Sequence, residues 1–305
     1  MSDAILTVNN VVKRYGNVVP VDHVSFSVRP GEIMGFLGPN GAGKTTTIRM
    51  IMGITAPDEG EVRFHGLGAA EGEVPKSRVG YLPEERGLYR EARVIDILQF
   101  LASLKGVGRS DARRKALEWL ERFELGSYAR AKVSQLSKGM AQKVQFISAV
   151  LHDPDVLVLD EPFSGLDPVN QDLFKSEIRR IAARGCAVLL SSHQMNLVEE
   201  LCERIFLIHR GKRVVYGTLD EVKKDYGAHR VRIRASDPGW TLPQSSLIES
   251  VERDGTQWTV LLRKDVAPVE FLKALPDRAP IDEISVSRIP LHDIFLRVVR
   301  GETAA

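Results

Sequence analysis

The segment Gly38-Pro39-Asn40-Gly41-Ala42-Gly43-Lys44-Thr45 satisfies the pattern G-x-x-x-x-G-K-[ST] at every fixed position, and no other feature restricts the fold of this chain as tightly. Such a loop works between a buried strand and a helix. Both are supplied: Ile33-Met34-Gly35-Phe36-Leu37 reads as the strand, and Thr46-Thr47-Ile48-Arg49-Met50-Ile51-Met52 as the first turns of the helix. Gly38, Gly41 and Gly43 open backbone conformations closed to residues with a Cβ, so successive N–H groups converge on phosphate oxygens above the positive end of the helix. Lys44 then supplies a mobile cation for β- and γ-phosphates, the Thr45 hydroxyl is placed to ligate magnesium, and Thr46 completes the binding segment. The bland alternative is a glycine-rich turn without a ligand; Lys44 and Thr45 in the required order argue against it.

A chain of 305 residues has room for one large α/β domain and a small companion, given domains of about 100 to 200 residues. Its hydrophobic share of 43% and charged share of 27% describe a globular protein able to bury a core, and its formal charge of +2 gives no reason to expect a nucleic-acid partner. Cys186 and Cys202, the only cysteines, fall in segments that read as core, which points to two reduced thiols in a cytosolic protein. No apolar stretch approaches the roughly 18 residues needed to cross a bilayer, and the N-terminus lacks a basic region followed by an apolar core.

Farther along, Val156-Leu157-Val158-Leu159 is a continuous apolar strand that ends in Asp160-Glu161 and is stopped by Pro162. This is the form of a strand buried in a parallel sheet with its polar work at the carboxyl end. Asp160 is suited to holding magnesium; Glu161, pointing elsewhere, is suited to polarising the water that attacks the γ-phosphorus. Leu136-Ser137-Lys138-Gly139-Met140 precedes a helical segment, Ala141 to Leu151; Ser137 is a good N-cap and Gly139 permits close backbone approach.

With phosphate loop, acid-ended strand and Ser-x-Gly helix start in that order, the chain resembles the ABC-type ATPases. The third and fifth positions of its signature are Lys138 and Met140 where the family usually has Gly and Gln. Ser164-Gly165-Leu166-Asp167 resembles the family's D-loop, and His193, after Ala187-Val188-Leu189-Leu190-Ser191-Ser192, matches the switch histidine that contacts the γ-phosphate. Tyr15 stands where the family has an aromatic that stacks on adenine. In the Q-loop, Gly80-Tyr81-Leu82-Pro83-Glu84, a glutamate occupies the glutamine position; a carboxylate there would bind magnesium more strongly than an amide and repel the γ-phosphate if unpaired.

The resemblance implies an α/β phosphate-loop NTPase of ABC type over residues 1–225, with a β-rich subdomain at 5–29 and a helical lobe over about 86–151. From residue 230 short alternating strands begin, with a hairpin turn expected at Asp254-Gly255, helices at 268–275 and 291–299 and a strand at 284–286, giving a small C-terminal α+β domain over 226–305. That tail, together with residues 82–89 and Leu291-His292-Asp293-Ile294-Phe295, resembles the ATP-binding subunits of ABC-2-type exporters associated with sodium or drug efflux. By the same resemblance the chain binds and hydrolyses ATP with Mg2+, works as a homodimer or with a close homologue, and powers a separate polytopic permease from the inner face of the cell membrane. Each nucleotide would lie between the phosphate loop of one chain and Ser137 and Gly139 of the other. A soluble ATPase acting on nucleic acid or ribosomes would need a coiled-coil insertion or a second ATPase domain, and neither is present; a regulatory module that binds ATP without turnover is the remaining alternative.

Overall fold

A computed structural model describes residues 4–68, 70, 72–85, 87–226 and 229–299. Outside the described residues lie the first three positions, Arg86, where the helical lobe was expected to begin, and 300–305 of the expected C-terminal domain. The chain divides between Tyr216 and Gly217 into two compact units.

In the first unit, strand β1 (Leu6–Tyr15) turns tightly through Gly16 and Asn17 into β2 (Val18–Val28), its antiparallel partner. The phosphate loop lies between β3 (Ile33–Leu37) and α1 (Lys44–Ile51). After β4 (Glu59–Phe64), which pairs antiparallel with the other side of β1, comes β5 (Val79–Leu82). Three helices follow: α2 (Val94–Ser103), α3 (Arg109–Arg122) and α4 (Lys138–Val150), the last beginning at the signature because Ser137 caps it by accepting from the Met140 N–H. The remaining elements are β6 (Val156–Asp160), α5 (Pro168–Ala182), β7 (Ala187–Ser192), α6 (Met195–Leu201), β8 (Arg204–His209) and β9 (Lys212–Thr218).

Six strands form one sheet in the order β5-β6-β7-β3-β8-β9, and the pairs from β5 through β8 are parallel. β3, β6 and β7 are buried along their whole length with no in-out alternation, as strands covered on both faces must be. β9 joins β8 through Arg210-Gly211, both at positive φ (49° and 77°), the twist that suits a two-residue hairpin. Phe26, Phe36 and Phe206 fill the space between this sheet and β2, their ring centroids 5.1 to 5.3 Å apart. The pairings Leu37↔Ser192 and Asp160↔Ser191 align the carboxyl ends of β3, β6 and β7, so the phosphate loop, the acid pair and His193 leave the sheet at one edge.

The second unit begins with α7 (Leu219–Asp225), capped by a reciprocal Thr218–Glu221 box; the sequence reading had assigned this helix to the ATPase domain. β10 (His229–Ala235), β11 (Ile248–Asp254), β12 (Gln257–Leu262), α8 (Pro268–Lys273), β13 (Ile281–Arg288) and α9 (Leu291–Val299) complete it. Its four strands form an antiparallel sheet, β11-β12-β10-β13, over a core of Val231, Ile233, Trp258, Val260, Leu262 and Phe271. The β11–β12 turn is Gly255-Thr256, one residue later than expected, because Asp254 still pairs with Gln257 and the positive φ falls on Gly255 (59°).

Candidate active site

The loop between β3 and α1 is shaped by two glycines. Gly41 has φ 77° and faces open space; Gly43 has φ 111°, and a Cβ there would lie 2.2 Å from the Pro20 carbonyl oxygen of β2. Gly43 is also the N-cap of α1, with no side chain capping it, so the first amides of the helix face the loop. Lys44 is buried and folds back, its Nζ donating to the carbonyls of Gly38 (2.8 Å) and Pro39 (3.3 Å). Together with Thr45, Thr46, Pro39, Asn40, Gly41, Pro20, Glu84 and Glu161, Gly43 and Lys44 line a cavity of about 320 Å³.

At the end of β6 the two acids part. Asp160 is 1% exposed; Ser191 Oγ donates to its Oδ1, while Oδ2 is buried with no hydrogen-bond partner among the described residues. Burial holds this carboxyl above its ordinary range; the hydroxyl of Ser191 opposes the rise, Glu84 and Glu161 add to it, and Lys44 opposes it. Glu161 has positive φ (49°), unusual for a residue with a Cβ, and its N–H donates to the Ser191 carbonyl (3.1 Å). That kink turns its side chain toward the cavity, where Oε1 lies 2.8 Å from His193 Nδ1 and 3.9 Å from Lys44 Nζ, and Oε2 accepts from Ser192 Oγ (3.3 Å). The carboxylate is thereby aimed from two sides.

The structure thus brings together the phosphate loop, Lys44, Thr45, Thr46, Glu84, Asp160, Glu161 and His193. Ser137 and Gly139 are not at this cavity. They lie at the start of α4 beside the D-loop, where the nearest atoms to a Cβ on Gly139 would be Leu166 Cδ2 (3.8 Å) and the Gly165 carbonyl (3.9 Å). Tyr15 is 52% exposed, is absent from the cavity wall, and has Lys13 Nζ 5.5 Å from its ring centroid. The sequence reading gave no role to Ser191 and Ser192, whose hydroxyls bond the two acids, or to Gln142 and Gln145. Gln142 donates to the Pro162 carbonyl (3.1 Å) and Gln145 to those of Pro83 (3.3 Å) and Glu85 (3.1 Å), so α4 fixes the backbone on both sides of the cavity. The available signal was two amides on the buried face of a helix, where an unpaired polar group is costly.

The donors present suit magnesium. A buried carboxylate oxygen without a partner, a threonine hydroxyl and a second carboxylate are hard oxygen ligands. Magnesium is usually held by one or two carboxylates plus substrate phosphates, and this cavity places Glu84 beside Thr45 and the phosphate loop.

A parallel-sheet core that presents a phosphate loop, an acid pair and a histidine at one edge, with a helical segment inserted before the acid strand, defines a phosphate-loop ATPase. The ABC transporter family matches residues 21–164, and residues 217–299 match the C-terminal domain of ATP-binding proteins like DrrA1-3. The ABC transporter ATP-binding protein YhaQ of Bacillus subtilis (strain 168) is 40% identical over 295 residues, 97% of this chain and 98% of the relative. The Nod factor export ATP-binding protein I of Paraburkholderia xenovorans (strain LB400) is 35% identical over 99% of both chains. A solved structure of an ATP-binding subunit of an ABC transporter superposes with a TM-score of 0.68 at 30% identity, covering 73% of this chain and 93% of that one. The chain belongs to the ABC transporter ATP-binding proteins. It is an ATPase that powers a membrane transporter, with ATP as substrate and magnesium as cofactor; members of this family dimerise and work with membrane permease subunits. Among the described residues no helix is long and apolar enough to cross a membrane.

Proposed function

We propose that this chain hydrolyses ATP as one half of a head-to-tail homodimer, on the inner face of the membrane, and drives a polytopic exporter. The carrying observation is that Glu161, the candidate base, is held by Ser192 and His193 beside Lys44, while the signature residues Ser137 and Gly139 lie apart from that cavity on the same chain. One chain therefore holds one half of each of two sites.

In this reading the amides of the loop and of the α1 N-terminus bind the phosphates, and Lys44 trades its carbonyl partners for β- and γ-oxygens. Thr45 and Asp160, with Glu84 beside them, would hold magnesium, which would supply neutralisation of the phosphate charge. Glu161 takes the proton of the attacking water, and His193 steadies that carboxylate and reaches the γ-phosphate. Ser137 and Gly139 of a second copy close on the γ-phosphate from the other side, and Tyr15 stacks on the adenine. Closure on ATP and opening after hydrolysis would be passed to the permease. Export is supported by the name of the Nod factor export relative; the cargo class, sodium, drug or another small solute, rests on the resemblance of residues 82–89 and the tail.

The test is magnesium-dependent ATPase assay of the purified chain, with nucleotide binding measured in parallel. Lys44→Ala should lose binding and turnover. Glu161→Gln should keep ATP binding and lose turnover by about 10²–10⁴-fold, the span of a positioned general base. Undiminished turnover in Glu161→Gln removes the base from this reading.

A further inference from the structure

The backbone at Glu161 is strained on two counts. Its φ of 49° is uncommon for a residue with a Cβ, and it precedes Pro162, whose ring normally confines the residue before it to extended backbone. A conformation of this kind persists only where its surroundings over-determine it, and it relaxes when a restraint is withdrawn. The aim of the Glu161 carboxylate depends on the kink staying in place.

Hydrogen bonds hold the turn on both sides. The Glu161 N–H donates to the Ser191 carbonyl, and the Ser164 N–H donates to the Glu161 carbonyl, each at 3.1 Å. The next carbonyl along, that of Pro162, accepts from Gln142 Nε2, also at 3.1 Å. The first two bonds run from backbone to backbone and are open to any sequence that takes this turn. The last comes from a side chain and is therefore a choice of residue.

That choice runs against simple packing. Gln142 is 3% exposed, and an amide is harder to desolvate than an apolar side chain of the same length, so a methionine would be the easier residue to bury at this depth. What the amide adds is the bond to Pro162. Gln145, one turn on, repeats the pattern toward the other side of the cavity: its Nε2 is shared between the Pro83 and Glu85 carbonyls, while its Oε1 is buried with no hydrogen-bond partner among the described residues. On this helix the amides are placed for their N–H groups.

We propose that Gln142 is a positioning residue for hydrolysis: by holding the Pro162 carbonyl it keeps Glu161 in its left-handed kink, and so keeps the carboxylate aimed at the attacking water. Gln142 is absent from the cavity wall and acts through the backbone of its neighbour. The inference deepens the reading of Glu161 as the base and rests on it.

Gln142→Met tests it on the full chain, since methionine matches glutamine in length and lacks the donor. Magnesium-dependent kcat should fall about 10-fold, the order of one withdrawn hydrogen bond, while KM and ATP binding stay within about 2-fold. Gln142→Asn, whose amide stops one methylene short of the carbonyl, should lose turnover to a similar degree. In single-turnover measurements, adding Gln142→Met to Glu161→Gln should leave the residual rate unchanged within about 2-fold, because the carboxylate it aims is already gone. Wild-type kcat in either folded Gln142 variant overturns the proposal; should the Met variant not fold, the Asn variant decides alone. An equal loss in the Glu161→Gln background, or a loss of ATP binding that matches the loss of turnover, overturns it too, since either marks a general disturbance of the fold. Undiminished turnover in Glu161→Gln removes the base and this inference with it, whereas an inactive Glu161→Gln beside a fully active Gln142→Met removes the inference alone.

Discussion

Glu84 stands where the family resemblance expects a glutamine, and its surroundings define what that difference does. It lines the cavity with Glu161 and Lys44, and its charge adds to the rise of the Asp160 carboxyl. Replacing it with Gln removes one of three clustered negative charges and leaves the Asp160–Ser191 and Glu161–His193 contacts untouched. Glu84→Gln should therefore bind ATP and retain most of its hydrolysis, in contrast to Glu161→Gln. Steady-state ATPase rates of the two variants side by side decide the matter: an equal loss would make Glu84 a chemically essential group. Gly43 is constrained from another direction. At φ 111°, with the Pro20 carbonyl 2.2 Å from where a Cβ would stand, Gly43→Ala must displace the backbone of the loop or of β2. It should abolish nucleotide binding in a titration with a fluorescent ATP analogue, and full binding would show that the loop tolerates the shift.

Among the elements, β5 is the strand that delivers Glu84, and two helical segments pin its start. Lys105, just after α2, and His152, just after α4, both reach the Val79 carbonyl, Nζ at 3.0 Å and Nε2 at 3.2 Å. Burial lowers the His152 pKa from 6.5 to about 4, with the nearby Lys105 adding to the shift. The imidazole is thus neutral in the fold and donates to Val79 from Nε2. Because its folded value lies below its unfolded one, the stability tied to this neutral form is present above pH 6.5 and is lost as pH falls from 6.5 toward 4, where the unfolded chain takes up a proton that the fold refuses. The full cost is about 3 kcal/mol. Thermal unfolding of the nucleotide-free chain at pH 7, 5.5 and 4 should fall more steeply for the wild type than for His152→Gln; parallel curves would show that His152 does not titrate this way. The strands of the first sheet were legible in the sequence because β3, β6 and β7 are unbroken apolar runs closed by Gly38, Pro162 and His193. Helix α4 starts at Lys138, three residues before the Ala141 that periodicity gives, although the cap at Ser137 is legible from its residue type; the β11–β12 turn falls one residue later than the Asp254-Gly255 signal, since the register at Asp254 is decided by local hydrogen bonds that periodicity does not carry. For the site, the loop and both acids followed from spacing alone. The kink at Glu161 and the hydroxyl pair Ser191-Ser192 did not, because they depend on β6 and β7 being neighbours.

On the scale of the whole molecule, the proposed head-to-tail arrangement makes a complementation prediction. A chain with Lys44→Ala lacks a working loop; a chain with Gly139→Asp lacks a working signature and places a charge where phosphate should come. Each alone should be inactive. In a mixed dimer one site combines both defects and the other combines neither, so an equal mixture should regain about a quarter of wild-type ATPase activity, from one intact site in every mixed dimer. Recovery on mixing, measured against total protein, supports the head-to-tail arrangement; no recovery, with mixed dimers verified by mass spectrometry, removes it.

The tethering of Lys44 to the carbonyls of Gly38 and Pro39 has a kinetic meaning. A buried ammonium left without partners would draw the loop inward or drag water with it. Here the chain's own backbone serves as a placeholder for the phosphate oxygens, so an arriving nucleotide meets a cradle already close to its working shape and performs a ligand exchange at nitrogen rather than an ordering of the loop. Capture should then be limited by encounter, and discrimination between triphosphate and diphosphate should appear in how fast each leaves.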